Sequence, residues 1–174
     1  MLKSIQLLPV HQLVLGTIYH YLGQPDQAIA QIQSALELDP HYYPAHMYLG
    51  SIHIQAGNLE DGIRACEKAM QLASRNAAAL GGLGWAYARA GRMDEAQKLL
   101  KELEELVERS FAVAAYIGRI HLGLGNTDKA LDWFEKSIDS RDGMLAHFHI
   151  APFYDPLRSH PRYRALLRKM NLEA

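Results

Sequence analysis

The chain has 174 residues, 49% of them apolar, and a formal net charge of -1. That content suffices for one sizeable core or for a run of small repeated units, and the near-neutral charge supplies no long-range field for a phosphate backbone or an anionic membrane, so a neutral partner surface is expected. Cys66 is the only cysteine, which excludes an intrachain disulfide and a cysteine-rich zinc site and fits a reducing compartment.

In chain order, residues 1–8 read as the end of an upstream repeat helix or as an N-terminal cap, because Leu7-Leu8-Pro9 echoes Leu38-Asp39-Pro40. Met1-Leu2-Lys3 leads into a mixed segment with no clean apolar core, so no signal peptide is predicted. The longest uncharged stretch, Ser4 to Pro25, is interrupted by Gln6, Pro9, His11, Gln12, His20 and Gln24, and no membrane insertion is expected. A cytoplasmic location follows, with the periplasm left open if the chain belongs to a membrane-anchored regulator.

Residues 9–142 repeat with a period of 34 and divide into 9–42, 43–76, 77–110 and 111–142. Gly16, Gly50, Gly84 and Gly118 form one column and Gly23, Gly57, Gly91 and Gly125 a second. Leu15, Leu49, Leu83 and Ile117 keep the register, as do Tyr19, His53, Tyr87 and His121, and also Ala28, Gly62, Ala96 and Ala130. A glycine inside a helix costs about 1 kcal/mol against alanine, so the first column implies close helix contact. Gly16 is expected to face Ala28, Gly50 to face Gly62, Gly84 to face Ala96, and Gly118 to face Ala130. The second column ends each first helix in a left-handed turn, and Asp26, Glu60, Asp94 and Asp128 open each second helix. Apolar residues at helical spacing, such as Ile29, Ile32 and Leu36 or Leu99, Leu100, Leu103 and Leu106, are predicted to be buried between hairpins. Strict alternation is found nowhere, so the expected class is all-α.

In residues 143–174 a fifth Leu-Gly slot falls on Ala151-Pro152, where proline breaks the helix pattern. Pro161 is placed to open a capping helix with Tyr163, Leu166, Leu167 and Met170 on one face.

Leu15-Gly16, Tyr19, Gly23, Ala28, Ala35 and Pro40 resemble the tetratricopeptide signature, from residue 9 to about residue 142. The sequence departs from it at the early tryptophan slot (Gln12, His46, Leu80, Ala114) and at the closing proline, kept as Pro40 and replaced by Ser74, Glu108 and Asp142. The resemblance implies a right-handed superhelical stack of about four helical hairpins. The run Phe153-Tyr154-Asp155-Pro156-Leu157-Arg158-Ser159-His160-Pro161-Arg162-Tyr163 and onward to Met170 resembles the ends of such regions in bacterial multidomain signalling and transcriptional regulator proteins.

In tetratricopeptide arrays the first helices line the concave groove. By that resemblance the groove presents Leu13, Thr17 and Tyr21, then Met47, Ser51 and Gln55, then Trp85 and Arg89, then Ala115 and Arg119. The partner-binding set is Tyr21, Met47, Gln55, Trp85, Arg89 and Arg119, with Trp85 and Arg119 as near neighbours able to hold a carboxylate, a peptide terminus or another aromatic. Alternatively, Trp85 packs between hairpins and the arginines are solvated. The lysines and asparagines with which family members hold the acidic tails of chaperones are missing from these helices, which disfavours that ligand.

Cys66 shares a column with Ile32, Leu100 and Phe134 and is expected to be a buried small hydrophobe. His147-x-His149 lacks a third metal ligand, and Gly81-Gly82-Leu83-Gly84 lacks the Lys-Ser or Lys-Thr of a phosphate loop, so neither a metal nor another cofactor is expected. Arg158, Arg162, Arg164, Arg168 and Lys169 read as a charged outer face on the cap, and nucleic acid is not expected as a partner. These features point to a non-enzymatic scaffold that binds a protein, peptide or helix. The alternative is a regulatory, small-ligand-binding module of a larger bacterial regulator. An uncovered N-terminal end would also permit self-association.

Overall fold

The computed structural model describes residues 8–107, 113–141, 143 and 145–172, so the expectation for residues 1–8 lies, apart from Leu8, outside the described residues. Every regular element among the described residues is a helix: α1 (Pro9–Tyr21), α2 (Pro25–Leu38), α3 (Tyr43–Gln55), α4 (Leu59–Leu72), α5 (Ala77–Arg89), α6 (Met93–Val107), α7 (Ala114–Gly123), α8 (Thr127–Ser140), a short 3₁₀ helix (Pro152–Leu157) and α9 (Pro161–Lys169). The chain divides into two compact units, Met1–Ser74 and Arg75–Ala174.

The same local chemistry ends each first helix. Gly23, Gly57, Gly91 and Gly125 have φ of +72°, +84°, +75° and +76°, the left-handed region in which a side chain is strained. The following N–H then donates back to the carbonyl of the tyrosine/histidine column: Gln24 to Tyr19 at 2.9 Å, Asn58 to His53 at 2.8 Å, Arg92 to Tyr87 at 2.9 Å and Asn126 to His121 at 2.9 Å. This six-to-one bond satisfies a carbonyl that the helix end would otherwise orphan. The acids predicted to open the second helices, Asp26, Glu60, Asp94 and Asp128, all lie in a first turn.

In the first unit, the glycine column is explained by the residue that crosses it. A Cβ on Gly16 would lie 2.7 Å from Ile32 Cγ1 and 3.0 Å from the Ala28 carbonyl oxygen. On Gly50 it would lie 2.4 Å from Cys66 Sγ and 2.8 Å from the Gly62 carbonyl oxygen. Ile32, Ala35, Ala45 and Ile52 form one buried cluster across α2 and α3, against which Tyr19, Leu36, Tyr48 and Leu49 pack. Cys66 is buried within this unit, and burial pushes its thiol up to about 12.

The outer side of α1 is apolar and open. Val10, Val14, Leu15, Ile18 and Leu22 are each more than two-fifths exposed. Ile18 is 47% exposed, whereas its equivalents one, two and three repeats on, Ile52, Ala86 and Ile120, are at most 1% exposed.

In the second unit the atoms nearest the glycine notches belong to side chains larger than the expected alanines. At Gly84 the nearest atom to an added Cβ is Ile120 Cδ1, at 2.4 Å, so the missing side chain makes room for the next first helix and not for Ala96. At Gly118 it is Phe134 Cε1, at 2.5 Å, one turn beyond Ala130. In both places a large apolar neighbour fills the notch, which removes more apolar surface from water than an alanine could. Gly81 serves the same end, since a Cβ there would lie 2.5 Å from Tyr116 Cβ.

The C-terminal part folds onto α8. Phe148 and Tyr163 are nearly inaccessible, and Tyr163 donates its hydroxyl to the Phe148 carbonyl at 2.7 Å. Phe134, Phe148, Tyr154 and Tyr163 meet edge to face, with centroids 4.6 to 5.4 Å apart. Pro152 opens the 3₁₀ helix at the position where the hairpin pattern was expected to break, and Pro161 opens α9. Two basic residues of α9 face acids: Arg162 meets Asp132 at 2.7 Å, and Lys169 meets Asp139 at 2.5 Å and Glu135 at 3.2 Å, all on α8. Arg158 bonds Asp155 at 2.7 Å and the His149 carbonyl at 2.8 Å. No helix among the described residues is long and apolar enough to cross a membrane.

Candidate peptide-docking face

The first helices carry three slots per repeat, one turn apart, and the two units differ in what fills them. In the first unit Tyr21, Met47 and Gln55 are all half-buried, as are Thr17 and Ser51. The Gln55 amide lies 3.2 Å from His20 Nε2 and donates to the Ser51 carbonyl at 3.3 Å, so α1 and α3 present a polar pair beside Tyr21. Leu13, expected on this face, is instead 8% exposed and belongs to the core of the unit, because α1 turns that side toward α2.

In the second unit the expected neighbours Trp85 on α5 and Arg119 on α7 do converge, but on a third residue. Phe153 stacks on Trp85 with ring centroids 4.3 Å apart and planes at 21°. The Arg119 guanidinium carbon lies 4.1 Å from the centroid of the same Phe153 ring. This is the aromatic occupant that an indole beside a guanidinium can hold through stacking and cation–π attraction. Trp85 is consequently 4% exposed, with Phe153 covering its ring. Gly123, in the slot of Tyr21 and Gln55 two and three repeats on, lets the indole seat: a Cβ there would lie 3.0 Å from Trp85 Cδ1. Ala115 is buried too, whereas Arg89 is exposed and Arg119 half-buried. Phe153 was not foreseen as part of this face. Its only signal was its place in the run from Phe153 to Met170, read for its resemblance to the ends of repeat regions in bacterial regulators.

Cys66 lies in the first unit, and burial holds its thiol protonated, with the Glu67 charge as a minor cause. His121 is 6% exposed, and burial, aided by the Lys129 charge, lowers its pKa. Among the described residues, no three His, Cys, Asp or Glu side chains converge as metal ligands.

These hairpins, their left-handed glycine stops and their filled slots define a helical-repeat interaction protein. Three tetratricopeptide repeat models match the sequence over residues 12–42, 43–109 and 82–144, and the chain belongs to the tetratricopeptide repeat family. Among solved structures it is similar to a crystal structure of MamA protein, at 25% identity over 82% of this chain and 78% of that one, with a TM-score of 0.52. The PilF protein of Pseudomonas aeruginosa shares the fold at 23% identity over 95% of this chain and 77% of that one, with a TM-score of 0.58. No curated protein matches the sequence. Stacked helical hairpins of this family serve as protein-interaction scaffolds.

Proposed function

We propose that the chain is a non-enzymatic scaffold whose first-helix face takes a peptide or helix from a protein partner. One observation carries this reading: in the second unit that face already holds polypeptide, since Trp85 and Arg119 grip Phe153 of the chain's own 3₁₀ segment. The contact residues left for a partner are Tyr21, Met47 and Gln55 in the first unit, each partly exposed, and Arg89 in the second, which is exposed. The test is quantitative affinity capture with the wild-type chain and a Gln55→Lys/Arg89→Glu variant whose circular dichroism and melting temperature match wild type. Proteins retained by wild type and lost by the variant are expected. Identical recovery by both baits would overturn the assignment of this face.

A second reading is favoured by the open stripe on α1. Val10, Val14, Ile18 and Leu22 recur every four residues with no charge among them, on the side that the equivalent first helix α3 covers with α2. Two copies can bury these stripes against each other without charge repulsion. Light scattering across a concentration series is expected to show the wild-type mass rising and an Ile18→Glu variant staying monomeric. A wild-type mass independent of concentration would discard this reading.

A further inference from the structure

Resting on the peptide-docking reading, we propose that the Trp85/Arg119 pair is a clamp for a phenylalanine side chain in a partner peptide, and that Phe153 is a built-in competitor that plugs it. The 3₁₀ segment divides its labour between two sides. Tyr154 is 2% exposed and sits edge to face with Phe134 and Phe148, while Leu157 is inaccessible. Arg158 ties the segment back through Asp155 and the carbonyls of His149 and Ile150. The Tyr163–Phe148 bond closes the same core. The anchors on α8 and on the cap therefore involve neighbours of Phe153, and the Phe153 ring is the part that reaches α5 and α7.

Two features mark the clamp as a ligand site and not only as packing. Its members lie in one slot of successive first helices, the slot occupied by Thr17 and Ser51 in the first unit, so an indole and a guanidinium stand where the fold elsewhere places small hydroxyls. Its occupant is held by ring stacking and a cation over the π face, interactions that select an aromatic side chain over an aliphatic one of equal volume. Because the anchors of the segment are separate, the ring can leave by rotation about its own side-chain bonds while Tyr154 and Leu157 stay seated. A partner peptide then meets a site whose open fraction is set by Phe153, and its apparent affinity is reduced by that fraction.

The probe is the acetylated and amidated peptide of residues 151–158, APFYDPLR, together with the same peptide bearing alanine for phenylalanine. Both are titrated into wild type and into a Phe153→Ala variant, each carrying Trp133→Phe so that Trp85 is the sole tryptophan, excited at a wavelength that tyrosine does not absorb. The Phe153→Ala protein is expected to bind the phenylalanine peptide with a change in Trp85 emission, at least about tenfold more tightly than wild type does. The alanine peptide should not bind, and adding Arg119→Gln to Phe153→Ala should weaken binding. A Phe153→Leu variant, which keeps apolar volume in the notch, supplies the same comparison should Phe153→Ala fail to fold. Absence of peptide binding to either folded variant overturns the clamp, and equal binding to wild type and variant overturns the competition. A wild-type dimer that the peptide dissociates would assign the ring to a second copy and overturn the intramolecular plug. Because this assay leaves Gln55 and Arg89 untouched, its failure is distinguishable from failure of the docking face as a whole.

Discussion

Replacing Gly50 by alanine adds one methyl group where α3 crosses α4, and the crossing has no room for it. The new Cβ would stand 2.4 Å from Cys66 Sγ, 2.8 Å from the Gly62 carbonyl oxygen and 3.2 Å from the Cys66 amide nitrogen. Two of these three atoms are backbone, so no rotamer change relieves them. Restoring an ordinary separation of about 3.5 Å to the carbonyl needs the helices to part locally by roughly 0.7 Å. Overpacking of this kind costs about 1–3 kcal/mol, and alanine's higher helix propensity returns about 1 kcal/mol. A net loss of up to about 2 kcal/mol is therefore expected for Gly50→Ala, read from urea unfolding followed at 222 nm with the slope held common to wild type. Cys66→Ala in the same chain removes the sulfur contact and leaves the carbonyl contact, so the double variant should be more stable than the two single losses added together, without regaining wild-type stability. A Gly50→Ala protein more stable than wild type would refute the close crossing and leave the glycine column without its physical cause.

The remaining predictions concern single groups. Burial and the Lys129 charge lower the pKa of His121 below its ordinary 6.5. The unfolded chain then binds the extra proton first, so stability should be complete above about pH 6.5 and decline as the pH falls below it, whereas His121→Tyr, the residue of the column in two other repeats, should flatten that decline. Cys66, buried and with its thiol pushed up to about 12, should resist a disulfide exchange reagent at pH 8 in the native protein and react at once in denaturant; rapid native labelling would contradict the packing. Arg162 is partly solvent-exposed, and its ion pairs to Asp132, Asp128 and Glu135 are correspondingly screened. Arg162→Ala should cost less than about 1 kcal/mol, with the difference from wild type shrinking as salt is raised in parallel melts.

What was readable from residue order is what depends on neighbours within a helical turn or two. The glycine stops, their six-to-one bonds and the acids that follow all involve groups at most seven positions apart, so a 34-residue period fixes the hairpins wherever the chain goes afterwards. The side of Cys66, and the convergence of Trp85 with Arg119, could be read from the same period because equivalent slots on stacked hairpins lie side by side. Depth was not readable. Leu13 turned into the core, and Gly84 admitted Ile120 in place of meeting Ala96, because the tilt between helix axes decides which large side chain enters a notch. The basic residues of α9 looked like an outer patch in isolation. Only the acids of α8, met in the same order along both helices, made Arg162 and Lys169 a partly exposed seam of ion pairs. Sequence alone thus determined the repeat, its elements and its family. Tertiary structure alone decided that Phe153 occupies the slot of Trp85 and Arg119, since a contact between residues so far apart in the chain depends on where the folded cap brings the ring and on no local preference of the residues that carry it.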